Sequence, residues 1–315
     1  MKRINALALT LGLAFLVCMP MYAQNGNKQN EGTTTTYTFQ TINFPGDTFT
    51  QLLGINNSDV IAGYHGANVN KGFTLVLRSL TFTNENFPGS AQTQVIGINN
   101  SSETDGFYID TAGLTHGFKD VQGTFLTVDF PNRPFNQLLG LNDFGQAAGY
   151  YSTTANGNGP DTAYIFNEFG SVFESFNIPG STSAQATGIN NAQDVCGFFV
   201  DTNGVNHGWV LVKGHFTILN FPGSTGTQAF GLNNNGLVVG AYTDSKGLTH
   251  GFVFRESTNT FQSVDDPSGV GTTNVNGIND RGMLVGFFGT SPIVSGFVAT
   301  PSGENEDENG KGKGK

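Results

Sequence analysis

Residues 216–254 read FTILNFPGSTGTQAFGLNNNGLVVGAYTDSKGLTHGFVF, and this stretch decides the fold. It divides into four short runs, Phe216 to Phe221, Gln228 to Asn233, Leu237 to Tyr242 and His250 to Phe254. Between them lie Pro222-Gly223, Asn234-Asn235-Gly236 and Asp244-Ser245-Lys246-Gly247. Each break has turn chemistry, because proline presets a bend, asparagine caps its own backbone and glycine accepts positive φ. The runs therefore read as the four strands of an antiparallel meander.

The stretch recurs along the chain. Pro45, Pro88, Pro131, Pro179, Pro222 and Pro267 follow one another at 43, 43, 48, 43 and 45 residues. Nine residues after each, ten in the last copy, stand Gly54, Gly97, Gly140, Gly188, Gly231 and Gly277, each followed by Ile or Leu and then Asn. Nine further on stand Gly63, Gly106, Gly149, Gly197, Gly240 and Gly286. A single meander of this size cannot bury its own faces, whereas six in a ring can. Runs such as Leu237-Val238-Val239 and Phe198-Phe199-Val200 are apolar on both faces, as blades sandwiched between neighbours require. Glycines within these runs, Gly240 for example, let backbones approach closely. The sequence thus predicts an all-β fold, a six-bladed β-propeller of four-stranded blades over residues 37–301. An open β-solenoid is the alternative.

Outside the repeats, Lys2 and Arg3, an apolar run from Ala6 to Met19, Pro20 and Ala23 form the layout of a signal peptide over residues 1–23. The run is too short to span a bilayer, for which roughly 20 residues are needed. The expectation is export of a chain beginning near Gln24, with a polar, disordered leader at 24–36 and a charged, disordered tail at 302–315. Without Lys2 and Arg3 the balance is 12 basic to 24 acidic residues, or −12. Such a surface repels phosphate backbones and anionic lipid, so nucleic acid is not an expected partner. Past the signal segment only Cys196 remains. Its repeat equivalents are Ala62, Asp105, Ala148, Val239 and Val285, which predicts a buried structural thiol.

His116-Gly117-Phe118, His207-Gly208-Trp209 and His250-Gly251-Phe252, with Gly231-Leu232-Asn233-Asn234 and Val239-Gly240, resemble the bacterial extracellular repeats named for a His-Ala-Phe motif. The resemblance covers nearly all of the chain past the signal segment. Here Gly replaces the Ala, and Lys71, Thr162 and Ser295 replace the His in the first, third and sixth copies. The resemblance implies secretion and repetition, and it carries no catalytic residue over to this chain.

No constellation outweighs its structural reading. His116, His207 and His250 are of a metal-binding type, but equivalent positions of a ring lie apart, and a histidine closing a hairpin through backbone hydrogen bonds is the expectation. Gln51, Gln94, Gln137, Gln185, Gln228 and Asn274 share one repeat position. Such amides either line a channel mouth and hold sugar hydroxyls or satisfy backbone groups between blades, the latter being favoured. Asn56, Asn99, Asn142, Asn190, Asn233 and Asn279 read as turn caps. Asp265-Asp266 is the only adjacent acidic pair in the repeats, and neighbours on a strand point to opposite faces, which is wrong for a shared substrate. Turns such as Asp201-Thr202-Asn203-Gly204 lack the ligand count of a calcium loop.

The variable connection supplies the candidate site. From the mid-strand glycine to the second residue of the His-Gly-Phe motif the distances are 9, 11, 14, 11, 11 and 10 residues, the longest spanning Ser152 to Asp161. On the same face the third copy carries Asn132-Arg133-Pro134-Phe135 where others have Gly-Ser or Gly-Asp. Variation on a constant scaffold is where binding specificity is placed. Arg133, Phe135, Gln137, Asn156 and Asn158 are accordingly the candidate ligand-binding residues, with no metal or cofactor expected. The reading is a non-enzymatic extracellular binding module, partnered by a polysaccharide or another surface protein. The alternatives are a polysaccharide hydrolase or lyase with its site in the channel, and a purely structural surface protein.

Overall fold

The computed structural model describes residues 34–302. The signal segment lies outside them, as does the tail except Ser302 and the leader except Thr34, Thr35 and Thr36. Among the described residues, 24 strands and two three-residue 3-10 turns form. The strands make six four-stranded antiparallel sheets, each packed on the next around one axis. The ring closes, with the innermost strand Thr50–Ile55 of the first blade packed against Asn274–Ile278 of the sixth. This is the expected six-bladed propeller, and ring closure excludes the solenoid.

The blade boundaries differ from the sequence reading by one strand. The fifth blade runs outward from the axis as Gly226–Leu232, Leu237–Thr243, Thr249–Arg255 and Thr260–Val264. The run starting at Phe216 lies in His215–Leu219, which pairs with Asn206–Val212 as the outer strand of the fourth blade. Phe-Pro-Gly is therefore the link from one blade's rim to the next blade's axis. Turn residues serve equally well within and between sheets, so the motif looked the same in either frame.

Closure also uses the ends of the propeller. Tyr37–Ile42 pairs with Ile293–Pro301, from Tyr37↔Pro301 to Ile42↔Gly296, as the outer strand of the sixth blade. The end of the leader is not free but tied down. Ser302 N donates to Thr36 O at 2.8 Å, Thr35 N donates to Gln262 Oε1 at 3.0 Å, and Gln262 Nε2 returns to Thr35 O at 2.6 Å.

The core lies between blades. Trp209 of the fourth blade packs with Ala148 and Ile165 of the third and Ala186 of its own. Gly240 is required here, because a Cβ would strike the Gln228 carbonyl and the Phe252 ring. Cys196 is fully buried and burial pushes its thiol up to about 12, as a structural position demands. Because the strands alternate in direction, the interblade links and the second-to-third turns share one face, called here the link face. The Asn-containing first-to-second turns occupy the opposite, clasp face, where Tyr37 and Pro301 also lie.

Candidate functional site: an axial cavity with an amide rim

The axis can be followed from the clasp face upward. Each inner strand ends in an Asn that caps its turn, Asn233 Oδ1 accepting from Asn235 N and Leu237 N at 3.0 Å each. The same residues do more than cap. Asn56 Nδ2 donates to Asn99 O, Asn99 to Asn142 O, Asn142 to Asn190 O, Asn190 to Asn233 O, Asn233 to Asn279 O and Asn279 back to Asn56 O, at 3.0–3.3 Å. A second ring lies one residue on, in which the backbone N–H of each of Asn57, Asn100, Asp143, Asn191, Asn234 and Asp280 donates to the next blade's side-chain Oδ1 at 2.8–3.0 Å. Asp143 Oδ2 accepts from both Asn100 and Asn191 Nδ2, at 2.8 and 2.6 Å. Asp280 does the same with Asn57 and Asn234, at 2.7 and 2.9 Å. These twelve residues clasp the blades around a cavity of only about 70 Å³.

Above the clasp the inner strands nearly touch. A Cβ on Gly97 would lie 2.8 Å from Gly140 Cα, one on Gly140 3.2 Å from Gly188 Cα, and one on Gly277 3.2 Å from Gly54 Cα. Only glycine permits this approach. Immediately before each of these glycines the pairing with the second strand slips by one residue, a β-bulge. The extra residues are Leu53, Ile96, Leu139, Thr187, Phe230 and Asn276, and all of them line a cavity of about 310 Å³. It opens toward the link face and shares no lining residue with the smaller one.

Gln51, Gln94, Gln137 and Gln185 form its rim, and Gln94 and Gln185 also bond to the preceding blade, as favoured, though to side chains and not to backbone groups. Gln228 is not among the lining residues, and Asn274 turns back to donate to Thr272 O at 3.3 Å. The rim amides stand opposite aromatic residues on the second strands, in the pairs Gln51↔Tyr64, Gln94↔Phe107, Gln137↔Tyr150 and Gln185↔Phe198. In the fifth blade the aromatic moves, Ala241 occupying the second strand and Phe230 the bulge, where it meets Phe198 edge to face at 6.3 Å. Partners fix the amides. Gln94 Nε2 donates to Asn70 Oδ1 and Gln185 Nε2 to Asp161 Oδ2, both at 2.7 Å, and Tyr150 donates its hydroxyl to Gln137 Oε1 at 2.8 Å. Gln94 and Gln185 thus retain an acceptor and Gln137 a donor for a ligand, and Gln51 retains both. Burial raises the Tyr64 and Tyr150 hydroxyls, so both remain neutral. The lining holds amide, aromatic, aliphatic and hydroxyl groups, a set that is able to hold and orient a ligand.

The candidate residues of the third blade lie toward the link face, and Gln137 is the one among them that lines the cavity. Arg133 is exposed, its guanidinium 4.6 Å from the centre of the Tyr151 ring, and its carbonyl accepts from buried Asn136 Nδ2 at 3.0 Å. Phe135 is not an exposed anchor. It is buried, with Gly157 of the enlarged loop packed on its ring and Tyr150 beneath at 5.9 Å, so it shapes the loop from below. Asn156 and Asn158 are exposed and joined by a local turn, Asn158 N donating to Asn156 Oδ1 at 3.2 Å. Gln137 reaches the cavity, and Asp161 connects the foot of the loop to Gln185. The aromatic layer and the bulges escaped the sequence reading, since apolar residues in a strand carry no mark of an axial position.

The histidines also differ from expectation, bonding side chains rather than backbone. His116 lies between Asp129 at 2.7 Å and Asp110 at 3.5 Å, and His250 between Asp265 at 2.8 Å and Asp244 at 3.6 Å. His207 meets Asn220 at 2.8 Å and Asp201 at 3.4 Å. Donating a hydrogen bond to the Asp129 carboxylate raises the pKa of His116. These contacts pin each second-to-third turn to the outgoing link of its blade. Asp266, beside Asp265, is instead buried and caps Ser268 N at 2.8 Å, so the pair does not converge. Among the described residues no cluster of three or more metal-ligating side chains exists, and no helix is long and apolar enough to cross a membrane.

No protein-family model matches this chain, and no curated protein matches it. Solved structures do. The Aleuria aurantia lectin, a six-bladed propeller described with a novel fucose recognition mode, is 10% identical with a TM-score of 0.51 over 82% of this chain and 99% of its own. The propeller domain of the Trilobed protease from Pyrococcus furiosus is 11% identical with a TM-score of 0.51 over 82% and 85%, and has an open velcro topology. SapL1 lectin, solved with α-methyl fucoside, is 10% identical with a TM-score of 0.50 over 76% and 88%. What this chain shares with all three at such identities is the fold of a β-propeller.

Proposed function

We propose that the protein is an exported, non-enzymatic carbohydrate-binding module that holds sugar in the axial mouth on its link face. The observation that carries this reading is the rim itself. Amides with uncommitted donors and acceptors stand over aromatic and aliphatic side chains in a cavity of about 310 Å³. A sugar presents that same combination of hydroxyls, which both donate and accept, and C–H faces. The volume falls at the small end of the roughly 300–1,000 Å³ typical of ligand pockets. Arg133, Asn156 and Asn158 are exposed on the same face, where on this reading the remainder of a glycan would pass. The lectin neighbours support the reading through their shared architecture.

A hydrolase acting in this cavity would need two carboxylates flanking the scissile bond. The lining residues include none. The test is a glycan array and a polysaccharide pull-down with the exported chain. Bound polysaccharide is expected to be recovered at full length. Release of new reducing ends would favour the hydrolase, and clean negatives across cell-wall and environmental polysaccharides would overturn the proposal. In a positive assay, Arg133→Ala combined with shortening of residues 153–159 should weaken binding and leave the melting temperature nearly unchanged.

A further inference from the structure

We infer that the cavity reads the end of a glycan chain, admitting one terminal sugar whose leading edge is a methyl group, as in a deoxyhexose; this rests on the carbohydrate reading above. The first ground is that the cavity is blind. Below it the glycine ring brings adjacent inner strands so close that a single added Cβ would lie 2.5 Å from the Ile96 carbonyl at Gly54 and 2.7 Å from the Asn276 carbonyl at Gly231. Beneath that, two cyclic hydrogen-bond rings hold the blades together. A polymer therefore cannot thread the axis, and an internal residue, with chain on both sides, cannot descend past the rim.

The second ground is the polarity gradient. At the rim, hydroxyls meet the free amide atoms of Gln51, Gln94, Gln137 and Gln185. At the floor, Leu53, Ile96, Leu139 and Phe230 present carbon. Thr187 lies there too, but its hydroxyl is committed to Ala229 O at 3.0 Å. Asn276 is the remaining polar floor residue, and its Oδ1 is buried without a partner. A hydroxyl at the leading edge would be stripped of water and could recover one hydrogen bond, to Asn276 Oδ1, whereas a methyl group gains contact area over the Leu53, Ile96, Leu139 and Phe230 side chains. Entry with the methyl group first leaves the ring hydroxyls and the glycosidic bond at the rim.

Isothermal titration calorimetry tests this with methyl glycosides of L-fucose and L-rhamnose against those of L-galactose and L-mannose, each pair differing by one hydroxyl. The preferred sugar is then offered at the end of an oligosaccharide and capped by a further residue. One deoxyhexoside is expected to bind with a stoichiometry near one and at least about tenfold more tightly than its hydroxylated partner. Capping should abolish binding. Leu139→Trp, which fills the floor, should lower affinity by at least about tenfold, and Ile96→Phe is the milder variant should the first fail to fold. Equal affinity within each pair, binding of the capped chain, or undiminished binding by folded floor variants would overturn the inference while leaving a carbohydrate-binding site elsewhere on the ring. Absence of binding to any glycan would remove both.

Discussion

Asp105 stands where the other blades place Ala62, Ala148, Cys196, Val239 and Val285, and it is fully buried. Its Oδ1 accepts from Gly97 N at 2.9 Å, its Oδ2 has no partner, and Lys119 lies opposite it in register. Lys119 is itself only 1% exposed and bonds Glu168 across to the third blade. Burial pushes the Asp105 carboxyl up to about 7 despite the Gly97 hydrogen bond. Glu85, bonded by the Thr104 hydroxyl on the other side of the same blade, is pushed up to about 7 by the same cause. Folded-state values above the unfolded ones mean that the native state holds these protons more tightly. The stabilisation is present in acid and is lost as pH rises from about 4 through about 7. Asp105→Asn keeps the acceptor for Gly97 and removes the charge, so its melting temperature should vary less with pH across that window than the parent's. Parallel profiles by calorimetry would refute this account. The position was legible as an anomaly within the repeat, and its burial was not, because an acid in a strand reads as an exposed residue.

Among the elements, the inner strand combines two devices that the sequence showed unequally. The glycine and the Asn that follows it were plain from their spacing. The bulge before them was not, since it is a property of pairing with the second strand and leaves no mark in composition. The axial glycines should be intolerant in a graded way. Gly140→Ala places a methyl group 2.9 Å from the Thr187 carbonyl and should cost about 1–3 kcal/mol through overpacking. Gly226, at the head of its inner strand, has only ordinary contacts for a Cβ, the nearest at 3.7 Å. Gly226→Ala should therefore be neutral or stabilise by about 0.4–1 kcal/mol, through a less flexible unfolded chain. Chemical denaturation of both variants checks the contrast. Strand phase was the main misreading, because Pro-Gly marks a link between blades with the same residues that mark a turn within one.

For the whole molecule, a ring has no free interface until it opens, and opening breaks all its contacts at one junction together. Deleting the fifth blade, residues 226–264, should reduce the calorimetric unfolding enthalpy by clearly more than one sixth, since five blades must re-form a ring built for six. A loss in proportion to the residues removed would indicate that the blades fold as independent units. Ring closure was legible in the count of repeats, and its mechanism was not. Tyr37–Ile42 resembles any outer strand, and only the pairing with Ile293–Pro301 shows that it completes the sixth blade.

That closure also determines how the molecule is displayed. Tyr37 and Pro301 are register partners at the clasp face, on the rim, with the amide-lined mouth opening on the opposite side. The described chain therefore enters and leaves the ring on the face away from the mouth. On the proposed carbohydrate reading, one axial mouth per ring makes each molecule monovalent there, so tight binding to a surface carrying many glycans would come from many copies acting together and not from the affinity of any one.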